Sequence, residues 1–241
     1  MVGYGFSLNG VHSDTFGILC RTARELLPAR EPNEIVIPGR NGSYDFGNPT
    51  FGKRTFSMQC HIQAASLVAL RTATRNIAKW LADATELVFD DDPGKRWTGR
   101  VYAAVGLETA AITGQFTVAF EAQPFAEDTA LQTGSIGTAQ NYGSQLDIYP
   151  TITVTMGGTA ASVLLTHLAS GRFVRVTDTM ASGNVLVFDM ARGLVTRNAV
   201  AIMPKVSIDS LFFSVPPGSQ TITVTTSAAY TASMVYRRRY L

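Results

Sequence analysis

The chain has 241 residues, of which 46% are hydrophobic and 16% charged, a globular balance that excludes a disordered chain. Lys and Arg number 20 against 18 Asp and Glu, a net charge of +2 that supplies no strong field for nucleic acid. Two cysteines and three histidines make neither a disulfide framework nor a metal-ligand set, and no apolar run approaches the roughly 20 residues that span a bilayer.

The first ten residues lack the basic segment and apolar run of a secretory leader, so folding in a cytosol is expected. Tyr4, Phe6 and Leu8 alternate before an Asn9-Gly10 turn, and Phe16, Ile18 and Cys20 alternate again. Residues 3–21 therefore read as a first pair of strands. Pro28 and Pro32 bracket a polar piece unsuited to a central strand. Glu34 to Ile37 is a short apolar run halted by Pro38-Gly39-Arg40-Asn41-Gly42, which predicts a hairpin tip or projecting loop. Arg54 to Gln63 alternates most cleanly, with Phe56, Met58, Cys60 and Ile62 on one face and Thr55, Ser57, Gln59 and His61 on the other. Cys60 is then a packed thiol, and His61 a solvated side chain.

The period next lengthens from two to about three and a half. Leu67, Leu70, Ile77, Trp80, Leu81 and Ala84 fall on one side of a helix, Arg71, Arg75 and Lys79 on another, and Ser66 stands where an N-cap belongs. The basic stripe reads as a solvated face. Glu86 to Phe89 is a strand, and Asp90-Asp91-Asp92-Pro93-Gly94 a turn. A calcium loop would space its ligands at alternate positions and need a later Glu. Arg100 to Leu107 and Gly114 to Glu121 follow as strands, so the N-terminal part is α+β, a sheet carrying one helix.

Residues 126–145 are poor in apolar groups, and beyond them the helical period disappears. A boundary placed there gives an N-terminal α+β domain over 1–126 and a C-terminal β domain over 127–241. Ile152, Val154 and Met156 alternate, followed by runs at 163–165 and 173–177. From Gly183 to Thr225, four runs rich in Val, Ile, Phe and Thr are separated by Gly, Asn, Pro and Ser, the pattern of consecutive antiparallel strands. Val185 and Val187 oppose Leu186 and Phe188, so that strand should be covered on both faces. Thr231 to Tyr240 closes the chain as a strand containing Arg237, Arg238 and Arg239. The fold class is mainly β, with an antiparallel sandwich at the C-terminus.

Catalytic patterns fail on inspection. Gly47 to Lys53 fits seven positions of a phosphate-binding loop, but Arg54 stands where Ser or Thr must hold magnesium, and a strand follows instead of a helix. There is no Gly-x-Ser-x-Gly elbow and no His-Glu-x-x-His. No catalytic residue, metal site or cofactor is expected. Aromatic residues on a sandwich can bind sugars, which leaves a carbohydrate-binding protein of the host envelope as the alternative reading; a tail hydrolase is the weaker third.

In order and spacing, the segments resemble the distal tail protein family of long-tailed bacteriophages over essentially the whole chain. The resemblance is carried by Phe6 to Asn9, Ile37 to Tyr44, the Arg54 to Met58 strand, the Trp80 helix end and Leu87 to Asp91. It continues through Gly114 to Phe125, Asn141-Tyr142-Gly143, Gly183 to Asp189, Leu211 to Ile222 and Val235 to Tyr240. It implies a hexameric ring at the tail end, in which the N-terminal domain joins the copies and a galectin-like C-terminal domain projects outward. The implied partners are further copies of the chain, the tail tube protein, the tape-measure protein and the tail-tip hub, around a channel for DNA. Assembly would occur in the host cytoplasm, with neither membrane insertion nor sequence-specific nucleic-acid binding. Arg40 and Tyr44 on the turn are candidate inter-subunit contacts, since Arg and Tyr are favoured at interfaces. Arg237, Arg238 and Arg239 are candidate partner contacts, because the family's last strand is commonly less rich in arginine.

Overall fold

The computed structural model describes residues 5–47 and 50–241. Tyr4, and Asn48-Pro49 within the false phosphate loop, lie outside them. The chain divides into two compact units, Met1–Ala126 with Leu241, and Glu127–Tyr240.

The first unit is built on an antiparallel sheet in the order Val11–His12, Phe6–Leu8, Glu86–Phe89, Asp92–Val101, Thr113–Ala122, Arg54–Gln63, Ile18–Ala23. Arg54–Gln63 pairs with Thr113–Ala122 over all of its residues. Phe56, Met58, Cys60 and Ile62 are buried as their alternation requires, while Gln59 and His61 face out. Phe116, Val118 and Phe120 extend the same apolar face. The helix Leu67–Ala82 covers it. The Ser66 hydroxyl accepts from the Ala69 N–H at 3.2 Å, satisfying one of the donors a helix start leaves open. Leu70, Ile77 and Leu81 are buried, and Trp80 lies against Phe6 and Phe16 with centroids 5.5 and 5.0 Å apart. Leu67 does not share this face. It is 53% exposed, because the first helical turn stands outside the core.

Four local readings are corrected. Ile18–Ala23 pairs with Arg54–Gln63, not with the first strand; Phe6–Leu8 pairs instead with Val11–His12 and Glu86–Phe89. Phe16 ends a short 3₁₀ turn, Ser13–Phe16, closed by Gly17 at φ +65°. Of the aspartate run only Asp90 and Asp91 form the turn. Asp92, Pro93 and Gly94 already belong to the strand Asp92–Val101, whose register against Glu86–Phe89 shifts between Asp92 and Trp97. A ladder interrupted there tolerates the N–H that Pro93 lacks. The strand read from Arg100 to Leu107 is accordingly two, Asp92–Val101 and Leu107–Ala110.

Asn9 joins the first turn to the helix end. Held at φ +50°, it accepts at Oδ1 from Thr85 N, Thr85 Oγ1 and Glu86 N at 3.0, 2.9 and 2.9 Å. Its Nδ2 donates to the Asp83 carbonyl at 2.7 Å. Asn9→Ala loses these bonds and places a Cβ residue without asparagine's tolerance in the left-handed region. The expected cost is about 2–3 kcal/mol, read by urea denaturation. Asn9→Gly, which restores the backbone freedom alone, should recover only about 1 kcal/mol of it.

The second unit is a two-sheet antiparallel sandwich. One sheet runs Gln132–Gly134, Tyr230–Tyr236, Thr151–Met156, Val185–Asp189, Leu194–Arg197, Val200–Ala201; the other runs Phe173–Met180, Ala160–His167, Ile222–Thr226. Ile152, Val154, Leu186 and Phe188 from the first sheet and Val163, Leu165, Val174 and Val176 from the second form one buried cluster. The runs between 183 and 225 are therefore not all neighbours. Val185–Asp189 and Leu194–Arg197 form a hairpin, but Ile222–Thr226 lies in the opposite sheet against Ala160–His167. The run at 211–215 is no ladder strand. Phe213 and Val215 are buried, and Val215 makes a single bridge to Ile148 before Pro216-Pro217 removes two successive donors. Val185 and Val187 are half-buried rather than covered.

Candidate assembly interface

Between Ile18–Ala23 and Arg54–Gln63 the chain forms a hairpin outside the main sheet. Arg30–Glu31 pairs with Thr50–Phe51, and Glu34–Val36 with Ser43–Asp45 in the register Glu34↔Asp45, Ile35↔Tyr44, Val36↔Ser43. The turn predicted at 38–42 closes it, with Arg40 N donating to the Ile37 carbonyl at 3.1 Å and Gly39 and Gly42 both at φ +81°. That backbone region is open to glycine at no steric cost. The Ser43 hydroxyl donates to the Glu34 carboxylate across the ladder.

Every residue from Ala29 to Phe46 is exposed. Ile35, Val36 and Tyr44 are 52%, 74% and 45% accessible, and Phe46 beside them is exposed as well. The Arg40 guanidinium lies 5.5 Å from the Tyr44 ring centroid, and Tyr44 meets Phe46 edge-on at 5.0 Å. The structure thus brings Arg40 and Tyr44 together at one tip. A two-stranded ladder without a third strand or a covering core is marginal in water, and its open edges and apolar side chains invite pairing with another surface.

The three arginines near the chain end belong to the second unit and are bonded within it. Arg237 donates to the carbonyls of Asp128, at 2.7 Å, and Thr129. Arg238 lies 3.9 Å from the Asp128 carboxylate, and its carbonyl accepts from Asp128 N at 3.1 Å. Arg239 donates through Nη1 to the Asp147 carbonyl at 3.2 Å and lies over the Tyr149 ring. Together they fasten the end of the chain to the segment that opens the sandwich.

His12 and His167 have structural partners. His12 Nε2 lies 2.9 Å from Asp90 Oδ1, and Asp90 Oδ2 accepts from Gly5 N at 2.9 Å. The buried His167 holds Ser170 Oγ at 2.8 Å and Gln220 Oε1 at 3.1 Å. Among the described residues, no group of three or more His, Cys, Asp or Glu side chains is placed to hold a metal ion, and no helix is long and apolar enough to cross a membrane.

Residues 12–122 match the family of the phage tail protein RIFT-related domain, and residues 143–240 match the C-terminal domain of the siphovirus-type tail component. The chain belongs to the distal tail protein family of siphophages. The crystal structure of the Dit (gp 19.1) protein of phage SPP1, described as a paradigm of the hub adsorption apparatus in phages infecting Gram-positive hosts, has the same fold. The TM-score is 0.81 at 16% identity, over 99% of each chain. Two structures of the phage P2 baseplate in its activated conformation, with Ca and with Sr, align over 98% of each chain at 10% identity, with TM-scores of 0.47 and 0.48. No curated protein matches in sequence. The distal tail protein reading is that of a component of the phage tail and its baseplate hub.

Proposed function

We propose that this distal tail protein is a non-catalytic ring subunit of the tail tip, six copies closing around a channel that passes DNA. The ring would join the tail tube to the tip hub and the host-adsorption apparatus, with the tape-measure protein at its axis. The hairpin at residues 29–46 carries the reading. Its exposed Ile35, Val36, Tyr44 and Phe46 have no cover from their own subunit, and a second copy of the chain is the occupant that a closed ring supplies. Head-to-tail contacts between identical subunits close into rings when the rotation per copy divides a full turn, so an outreaching element on one side suits such an assembly.

Native mass spectrometry over a range of concentrations tests this. The expected result is a species of six subunits, seen as rings with an open centre by negative-stain microscopy. A strict monomer at every concentration, unchanged when the tail tube and hub proteins of the same phage are added, would overturn it.

A further inference from the structure

The sheet of the first unit sets Cys20 directly opposite Cys60, with the two sulfurs 3.7 Å apart. Directly opposed residues of an antiparallel pair have Cα atoms about 4.5 or 5.5 Å apart, inside the range of about 4.4–6.8 Å that disulfides span. From a sulfur separation of 3.7 Å, a bond of about 2.05 Å needs side-chain rotation and a small approach of the two strands, since a disulfide brings its Cβ atoms to about 3.5–4.5 Å. The two thiols differ in environment. Cys60 is buried in the core beside Met58 and Ile62, while Cys20 is half-buried at a surface hollow lined by Gly5, Arg21, Arg24 and Asp91. The Cys60 thiol has two acceptors within reach, the Cys20 sulfur at 3.7 Å and the Met58 carbonyl at 3.6 Å. The hydrogen bond between the two thiols lowers the Cys20 pKa against the opposing effect of burial; for Cys60 the same bond, and then burial, raise it. Cys20, half-buried at the hollow, is therefore the thiol that solvent and a small oxidant can reach.

We propose that Cys20 and Cys60 are a redox pair that closes to an intrachain disulfide when the tail leaves the reducing cytosol, with a low-molecular-weight disulfide as oxidant. The Cys20 thiolate attacks one sulfur of the oxidant, forming a mixed disulfide and expelling one thiolate. Cys60 then gives up its proton and attacks the Cys20 sulfur, expelling the second thiolate. Both thiolates take up the protons that the cysteines lost, so one oxidant is reduced to two thiols for each protein disulfide. Cytosolic thiol buffers keep such a pair reduced, and virion surfaces allow it to oxidise. The closed loop runs from 20 to 60 and encloses the whole exposed hairpin, so oxidation ties the two roots of that element together after assembly.

The test uses the full chain, purified under dithiothreitol and then incubated with oxidised glutathione. The expected product is lighter by two hydrogen atoms, and its non-reducing peptide map joins the Cys20 and Cys60 peptides. Limited trypsin cleavage at Arg30 or Arg40 should leave one band on a non-reducing gel and two pieces after reduction. The melting temperature should rise by about 5 °C or more, and Cys20→Ala and Cys60→Ala should each lose that rise. A glutathione adduct that persists on Cys20, a disulfide-linked dimer, or two free thiols after denaturing alkylation would each overturn the proposal. If a variant fails to fold, the mass and peptide map of the unaltered chain decide alone.

Discussion

Phe188→Ala is expected to lower the stability of the second unit by about 3–5 kcal/mol. Phe188 is fully buried in a strand with partners on both sides, directly opposite Ile152 on one and Val195 on the other. The second sheet faces it with Val163, Leu165, Val174 and Val176. Removing the ring loses its transfer free energy and also leaves a cavity, since the ladders on both sides hold the backbone in place and limit collapse. Val187 supplies the control, because it occupies the other face of the same strand and is half-buried. Val187→Ala should cost about 1 kcal/mol. Urea denaturation followed by far-UV circular dichroism measures both. Equal losses would mean that the alternation in this strand does not sort core from surface.

That alternation is also what made much of the fold legible. The face on which a strand residue lies is decided by the parity of its position, so Phe56, Met58, Cys60 and Ile62 could be assigned to the core from spacing alone. The Ser66 cap and the Asn9-Gly10 turn are equally local, being set by a side chain bonding within three residues or by backbone freedom at one position. The choice of strand partner is a different problem. Nothing near Ile18 specifies that it meets Ile62 and not Phe6, and nothing between 211 and 225 specifies which run joins which sheet. Such pairings are settled by the packing of the whole unit. The direct opposition of Cys20 and Cys60 was hidden for the same reason. Leu67 shows the limit on the helical side, where a residue in phase with the core stripe still lies beyond the region the sheet covers.

The candidate interface was legible in part. Pro38 to Gly42 announces a turn, and the structure puts Arg40 against Tyr44 there. Its flanking strands were not legible as exposed, because Ile35 and Val36 form the same short apolar run whether they meet a core or another molecule. The arginines near the chain end illustrate the converse. Three consecutive cations look available to a partner, yet Arg237 and Arg239 donate to main-chain carbonyls of their own unit, acceptors that a linear sequence never displays.

Replacing Ile35, Val36 and Tyr44 together by Ser is expected to abolish assembly while changing the stability of the isolated subunit by less than about 1 kcal/mol. Each of the three is exposed by nearly half or more, so the folded subunit loses little burial when they are truncated. Fully covering a large apolar side chain contributes about 1.5–3 kcal/mol. The part still exposed on three of them amounts to roughly 4 kcal/mol per contact, or about a thousandfold in its dissociation constant. A closed ring repeats that loss at every contact, which removes the oligomer at micromolar concentration. Leu168→Ser is the matched control, a similarly exposed apolar residue in the second unit, and it should leave the assembled mass unchanged. Sedimentation velocity gives the assembled mass, and urea denaturation of the monomer gives its stability. If the triple variant assembled normally, the ring would have to be built by another surface. If it instead lost subunit stability in step with assembly, the hairpin would be supporting its own fold, a role at odds with the exposure of every residue from Ala29 to Phe46.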